Sequence, residues 1–137
     1  MDCEDFFHES EKLIESSKFD QDFKEIYFRT AINRLYYGIF HFVQRELRIT
    51  IPQEHFRRCH LFVKERIESL PIYFNYAALE ELRNRSDYDI VDLITKNDYL
   101  HANKLKEHIV MELTGEGTIP YDKDDEIYFN RFKDEDW

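Results

Sequence analysis

One short segment carries the side chains of this chain that are best suited to chemistry. Residues 82–89 read LRNRSDYD, and they follow an apolar stretch with helical spacing. The planar, always charged guanidinium of arginine matches the oxygens of a phosphate better than it suits an apolar core. The segment therefore predicts a phosphate site in which the reacting or gripping groups are Arg83, Asn84, Asp87 and Tyr88, with Arg85 as a further phosphate ligand.

A second polar group lies upstream in an apolar helical stretch. Residues 34–41 read RLYYGIFH, so Arg34, Tyr37 and His41 recur at spacings of three and four. These spacings place the three side chains on one face of a helix. We assign all three to RNA or phosphate binding.

Arg34 must find an anionic or carbonyl partner, because an isolated buried charge costs several kcal/mol. Two interpretations stay open. In one, Arg34 pairs with Asp87 or Asp89 and links its helix to the later segment. In the other, Arg34 and His41 surround a phosphate together with Arg83 and Asn84.

The elements that position these residues are predicted to be helices. The chain has only three Gly and three Pro, and it lacks alternating stretches of β-branched residues. Apolar residues at spacings of three and four predict five helices, followed by an acidic tail that contains several aromatic residues. The predicted helices cover residues 3–17, 21–47 after an N-cap at Asp20, 53–70, 73–84 and 97–113, with a turn over 85–89. The bundle is assigned to residues 1–114 and the tail to residues 115–137.

Charge is unevenly distributed along the chain. The net charge is −10, yet residues 24–66 carry nine basic and four acidic side chains, whereas residues 1–23 and 112–137 are each at −6. The basic centre can attract a polyanion locally despite the negative total. We expect the acidic, aromatic tail to bind the same basic centre.

Several classes of protein are disfavoured. No run of about 18 apolar residues is present and the first residues are acidic, which argues against membrane insertion or export and favours the cytoplasm. Cys3 and Cys59 are far apart and fit reduced thiols. The six histidines do not form the ExxH pairs of a di-metal bundle, so we expect no metal and no cofactor.

The two motifs together, RxxYYxxFH followed by RNRxDYD, resemble the HEPN domain superfamily, in particular small stand-alone prokaryotic members with a YYxxFH helix and an RxxxDY turn. The resemblance covers about residues 5 to 113. It implies an antiparallel all-α bundle that forms a homodimer through the face bearing the motifs.

Many HEPN proteins are metal-independent ribonucleases that act as toxins or defence effectors. Their signature is an arginine, a polar residue and, after a short spacer, a histidine that handles protons during attack by the 2′-hydroxyl. Arg83 and Asn84 match the first two positions, but Asp87, Tyr88 and Asp89 stand where the histidine would be. Neither an ionised carboxylate nor an ordinary tyrosine replaces an imidazole near pH 7.

The resemblance leaves three classes of function. The first is an endoribonuclease toxin or antiviral defence component, forming 2′,3′-cyclic phosphate, in which Asp87, Tyr88 or a distant histidine such as His41 is the base. The second is a non-catalytic module that binds RNA, a nucleotide or a protein complex. The third is a toxin paired with a minimal nucleotidyltransferase antitoxin, with Tyr88 as the modified residue.

Overall fold

The structure, a computed structural model, describes residues 2–115, and these form a bundle of five α-helices without strands. An all-α fold was predicted and is confirmed. The tail assigned to residues 115–137 lies outside the described residues except for Gly115. Two short 3-10 helices, Gln21–Phe23 and Gln53–Arg58, precede the second and third α-helices. The α-helices are α1 Cys3–Ser17, α2 Lys24–Leu47, α3 Cys59–Arg66, α4 Tyr73–Tyr88 and α5 Lys96–Thr114.

The long helix α2 is the centre of the bundle, and α1, α4 and α5 all pack against it. Its buried side chains include Ile32, Leu35, Tyr36 and Ile39, each 1 % exposed or less. α1 runs antiparallel to α2, since Glu4 at the start of α1 contacts Arg45 near the end of α2, and Ser10 Oγ in the middle of α1 donates to the carbonyl of Ala31, earlier in α2. α2 therefore offers one face to α1 and another to α4.

The first turn of α2 is less buried than the apolar spacing indicates. Phe23 and Ile26 continue the apolar stripe of the helix in sequence, yet they are 54 % and 58 % exposed. Asp20 was predicted to be the N-cap of the second helix, but it is the N-cap of the short 3-10 helix Gln21–Phe23 and makes no side-chain cap hydrogen bond, while Phe23 is the N-cap of α2.

Gly38 lies where α1 packs closely against α2. A Cβ at this position would come within 2.4 Å of the Phe7 ring and 3.2 Å of the Cys3 carbonyl oxygen. A glycine in the middle of a helix costs about 1 kcal/mol relative to alanine. Close helix packing offsets that cost.

The prediction for the segment after residue 84 was wrong in one respect. Residues 85–88 continue α4 as helix and do not form a turn. The reason is Arg29 of α2, whose Nη1 donates to the carbonyl oxygens of Arg85, Ser86 and Asp89 at 2.9–3.1 Å. Its Nη2 donates to the Asp92 carbonyl. The last carbonyls of a helix have no partner within the helix, and Arg29 supplies one for them.

The third predicted helix, residues 53–70, is shorter in the structure. It divides into the 3-10 helix Gln53–Arg58 and the two-turn helix α3, which ends at Arg66. Phe56 and Leu61 are 60 % and 48 % exposed, so this element buries little of its apolar surface. Val63 and Ile67 attach it to the core.

The last helix has well-defined ends. Thr95 and Asp98 form a reciprocal capping box at its start, and Gly115, with φ +65°, ends it in the left-handed conformation. A closing glycine at residue 115 was predicted and is confirmed. Among residues 2–115, no helix is long and apolar enough to cross a membrane.

Replacing Gly38 by alanine tests the close crossing of α1 and α2. We expect Gly38→Ala to lower the free energy of unfolding by about 1–2 kcal/mol, since the clash outweighs the gain in helix propensity. Urea denaturation measures this change. In a Phe7→Ala background the same substitution should be neutral or stabilising. A destabilisation of equal size in both backgrounds would mean that Phe7 is not the obstacle.

Candidate functional site

Arg83 is the centre of the candidate site, on the face of α4 that packs against α2. Its side chain is 13 % exposed. Nη2 donates to the hydroxyl oxygens of Tyr37, at 3.0 Å, and Tyr88, at 3.4 Å, and Nη1 donates to Asn84 Oδ1 at 3.2 Å. The structure thus brings together four of the predicted site residues around one guanidinium.

Aromatic rings surround the same guanidinium. The Cζ atom of Arg83 lies 5.3–5.4 Å from the ring centroids of Tyr36, Tyr37 and Tyr88. These distances are within the range of cation–π attraction. Tyr36 is fully buried and Tyr88 is 70 % exposed, so the set runs from the core to the surface.

Asp87 is one helical turn from Arg83 and is held from two sides. Its Oδ2 atom lies 2.8 Å from Arg83 Nε and accepts a hydrogen bond of 2.8 Å from Asn33 Nδ2 on α2. Arg83 Nε is buried and makes no hydrogen bond, because its N–H is not directed at that oxygen. The contact between Arg83 and Asp87 is therefore an ion pair without a hydrogen bond.

Arg34 pairs with α1 rather than with α4. Its Nε donates to Glu9 Oε1 at 3.0 Å, so the predicted pairing with Asp87 or Asp89 is wrong. Arg34 Nη1 also donates to Asn33 Oδ1 at 2.8 Å, and Asn33 contacts Asp87. The link between Arg34 and α4 therefore exists, but it passes through an amide that the sequence reasoning overlooked.

Arg85 and Asp89 lie outside this cluster. The contacts of Arg85 are with Asp92 at 3.7 Å and Asp98 at 3.8 Å, on the side of α4 that faces α5. Residues two apart on a helix do not share a face, which separates Arg85 from Arg83. Asp89 Oδ1 accepts hydrogen bonds from the backbone N–H groups of Asp92 and Val91, which hold the pKa of that carboxyl below its usual value.

His41 is linked to the site through the aromatic rings of Phe6 and Phe40. The Phe6 ring of α1 stacks with His41 at a centroid distance of 5.4 Å and with Tyr37 at 6.3 Å. Desolvation lowers the pKa of His41. His41 and Tyr37 therefore share one stacked row, while the contacts of Arg34 lie with Glu9 and Asn33.

His60 of α3 is a functional candidate that the sequence did not indicate. Its Nδ1 is 2.7 Å from the Tyr36 hydroxyl, and its ring lies 4.3 Å from Phe40 and 5.7 Å from Tyr37. Burial lowers the pKa of His60, and the nearby charge of Arg83 lowers it further. Both effects favour the neutral form of the His60 imidazole, which lies beside the tyrosines that contact Arg83.

This arrangement fixes the side chains of the site in place. Asp87 uses Oδ2 for both Arg83 and Asn33, so it holds these two side chains together. The exposed groups at the site are Tyr88 and Asn84, which offer a ring face and an amide. Across residues 2–115, no group of three or more His, Cys, Asp and Glu side chains is placed to share a metal ion.

Comparisons with known proteins give no match to a protein family, to a curated protein or to a solved structure.

The role of Asp87 can be tested by stability. Asp87→Ala removes the partner of both Arg83 and Asn33, and we expect the free energy of unfolding to fall by about 1–3 kcal/mol. Urea denaturation measures the loss. The matched control is Asp92→Ala, whose exposed side chain lies 3.7 Å from Arg85 and should matter by less than about 0.5 kcal/mol. Equal losses in the two variants would contradict the bridging role.

The lowered pKa of His60 predicts a pH dependence of stability. Its pKa in the folded state is below the unfolded value of about 6.5, so the unfolded chain binds more protons in that range. The stabilisation that comes from keeping His60 neutral is fully present above pH 6.5. It is lost as the pH falls through the pKa of His60 in the folded state. His41 acts in the same direction.

We therefore expect the urea concentration at the midpoint of denaturation to decrease when the pH is lowered from 7 to 5. The decrease should be smaller in a His41→Gln, His60→Gln double variant. Imidazole proton resonances measured by NMR give the folded pKa directly. Titration of His60 at or above pH 6.5 would contradict the prediction.

Proposed function

We propose that this chain is a HEPN-type protein that binds single-stranded RNA at the Arg83 cluster. The observation that carries the proposal is the arrangement of one arginine among three tyrosine rings, of which Tyr88 projects to the surface. Proteins bind single-stranded nucleic acid by combining positive charge with aromatic rings on which bases stack. The motif resemblance supports the same assignment.

In this proposal the residues have separate roles. Tyr88, 70 % exposed, stacks on a base. Asn84 is exposed beside it and hydrogen-bonds to the ligand, while Arg83 attracts the phosphate and fixes the Tyr88 and Tyr37 hydroxyls. Asp87 holds Arg83 in place and offsets its positive charge, which favours a moderate affinity for RNA. We further propose that two copies form a homodimer, as the resemblance implies.

Ribonuclease activity of the toxin or defence type is the second candidate. The observation that favours it is His60, whose neutral imidazole lies beside Tyr37, itself hydrogen-bonded to Arg83. An imidazole near an arginine supplies the two groups that attack by a 2′-hydroxyl requires. His60 would then take the place of the histidine that is missing after Arg83 in sequence.

Fluorescence anisotropy with a labelled single-stranded RNA tests the binding proposal. We expect Tyr88→Ala to weaken binding by about 1–3 kcal/mol, since base stacking on an aromatic residue contributes about that much. Tyr88→Phe keeps the ring and should retain most of the affinity. The matched control is Phe74→Ala, because Phe74 is a similarly exposed aromatic residue, 79 %, at the other end of α4.

Equal affinity for RNA in Tyr88→Ala and Phe74→Ala would contradict the proposed site. Incubation of the same proteins with RNA in a chelator, followed by detection of 2′,3′-cyclic phosphate ends, separates binding from cleavage. Sedimentation reports whether the protein is a dimer of twice 16.9 kDa. Measurement of the intact mass shows whether a nucleotide is attached to the exposed Tyr88 hydroxyl, which would be another cause of altered RNA binding.

A further inference from the structure

The basic centre of the chain contains two kinds of arginine. Arg29, Arg34 and Arg45 are engaged by carboxylates or carbonyl groups within the bundle. Other basic residues make no hydrogen bond or ion pair within the described part of the chain. Four of them lie between residues 48 and 66. These four are Arg48, Arg57, Arg58 and Arg66, all exposed; below they are called the arginine surface.

Two members of the arginine surface line one groove. Arg48 and Arg66 lie with Leu47, Ile49, Thr50 and Leu70 around a groove of about 400 Å³ between the end of α2 and the end of α3. Arg66 packs over the Phe62 ring at 5.0 Å, which fixes its direction. Arg57 and Arg58 stand at the opposite end of the two-turn helix α3. The lining of the groove combines three half-buried apolar residues, Leu47, Ile49 and Leu70, with the exposed side chains of Arg48 and Arg66.

The described chain ends at a second groove, which is connected to the first by the segment between Leu70 and Ile72. Gly115 lines this second groove together with Pro71 and Ile72, and the preceding residue Leu70 lines the arginine groove. The segment 66–72 therefore borders both. A further 22 residues follow Gly115, and an extended chain of that length spans roughly 70 Å, so the arginine surface is well within reach.

The chemistry of residues 116–137 complements that surface. They contain eight acidic and three basic residues, together with five aromatic ones, Tyr121, Tyr128, Phe129, Phe132 and Trp137. The exposed apolar residues at the other end of the bundle, such as Ile90 and Leu93, stand beside Asp89 and Asp92, which would repel an acidic segment. Charge thus selects the arginine surface.

We propose that residues 118–137 bind the arginine surface of the same chain, with their carboxylates against Arg48, Arg57, Arg58 and Arg66 and an aromatic side chain in the groove. The arrangement neutralises the basic charge that the bundle leaves unpaired. This inference does not depend on the RNA site at Arg83.

Trp137 is the only tryptophan of the chain, so its fluorescence reports on this segment in the intact protein. At low salt we expect a blue-shifted emission and weak quenching by acrylamide. At about 0.5 M salt, where charges are screened within a few Å, the emission should move to the red and quenching should rise.

Arg66→Glu should cause the same red shift at low salt. Lys12→Glu is the matched control, because it makes the same change in charge at an exposed, unpaired residue of α1. Arg48→Asn is a second test: Arg48 has a left-handed backbone, φ +54°, which asparagine tolerates, and it too should shift the emission. Circular dichroism verifies that each variant is folded.

Three results would overturn the proposal. One is an emission maximum of Trp137 in the wild-type protein at low salt that lies at the same wavelength as the maximum in urea. Another is the same response to Arg66→Glu and to Lys12→Glu. The third is a red shift on dilution of the wild-type protein, which would assign the segment to a second copy.

Discussion

The contact between Arg29 and the end of α4 is the interaction on which the site depends. A single guanidinium on α2 binds four carbonyl groups between residues 85 and 92. It keeps α4 helical as far as Tyr88, which places Asp87 and Tyr88 one turn beyond Arg83 and Asn84. Without this contact the segment would be free to unwind, and the Arg83 cluster would lose its geometry. Glu25, 2.9 Å from Arg29, balances the charge and orients the side chain.

A continuous polar chain connects three helices behind the exposed tyrosine. It runs from Glu9 on α1 through Arg34 and Asn33 on α2 to Asp87 and Arg83 on α4, with successive contacts of 2.8–3.0 Å. Arg83 and Asp87 are the more shielded members, with side chains 13 % and 20 % exposed, so the contact between them is stronger than one on an open surface. The network explains why so many charged groups sit beside a tightly packed core. It also makes Arg83 a structural residue as well as a candidate ligand.

The sequence allowed the fold to be predicted well, because helix formation is largely a local matter. The apolar spacing and the end signals gave five helices, and α1 has the predicted bounds, residues 3–17. The errors arose where a distant side chain decides the outcome. Nothing near residues 85–88 indicates that Arg29, more than fifty residues earlier, will bind their carbonyls.

The same limit applies to the site. Tyr37, Arg83, Asn84 and Tyr88 were each selected from residue type and motif, and the structure brings them together. Asn33 and His60 could not be found in this way, because each acts through a contact with another helix. Arg85 lies next to Asn84 in sequence but faces α5, because residues 85–88 are helical. The predicted turn over residues 85–89 gave no reason to expect this separation.

The polar chain behind Tyr88 also bears on how this protein varies in evolution. Glu9 and Arg83 do not touch, yet each depends on the residues between them. A loss of the carboxylate at position 9 changes the surroundings of Arg34, and through Asn33 those of Asp87. We therefore expect natural sequence changes at these five positions to be correlated. The pattern that defines close relatives of this chain would then be scattered over three helices, instead of being contained in one short stretch.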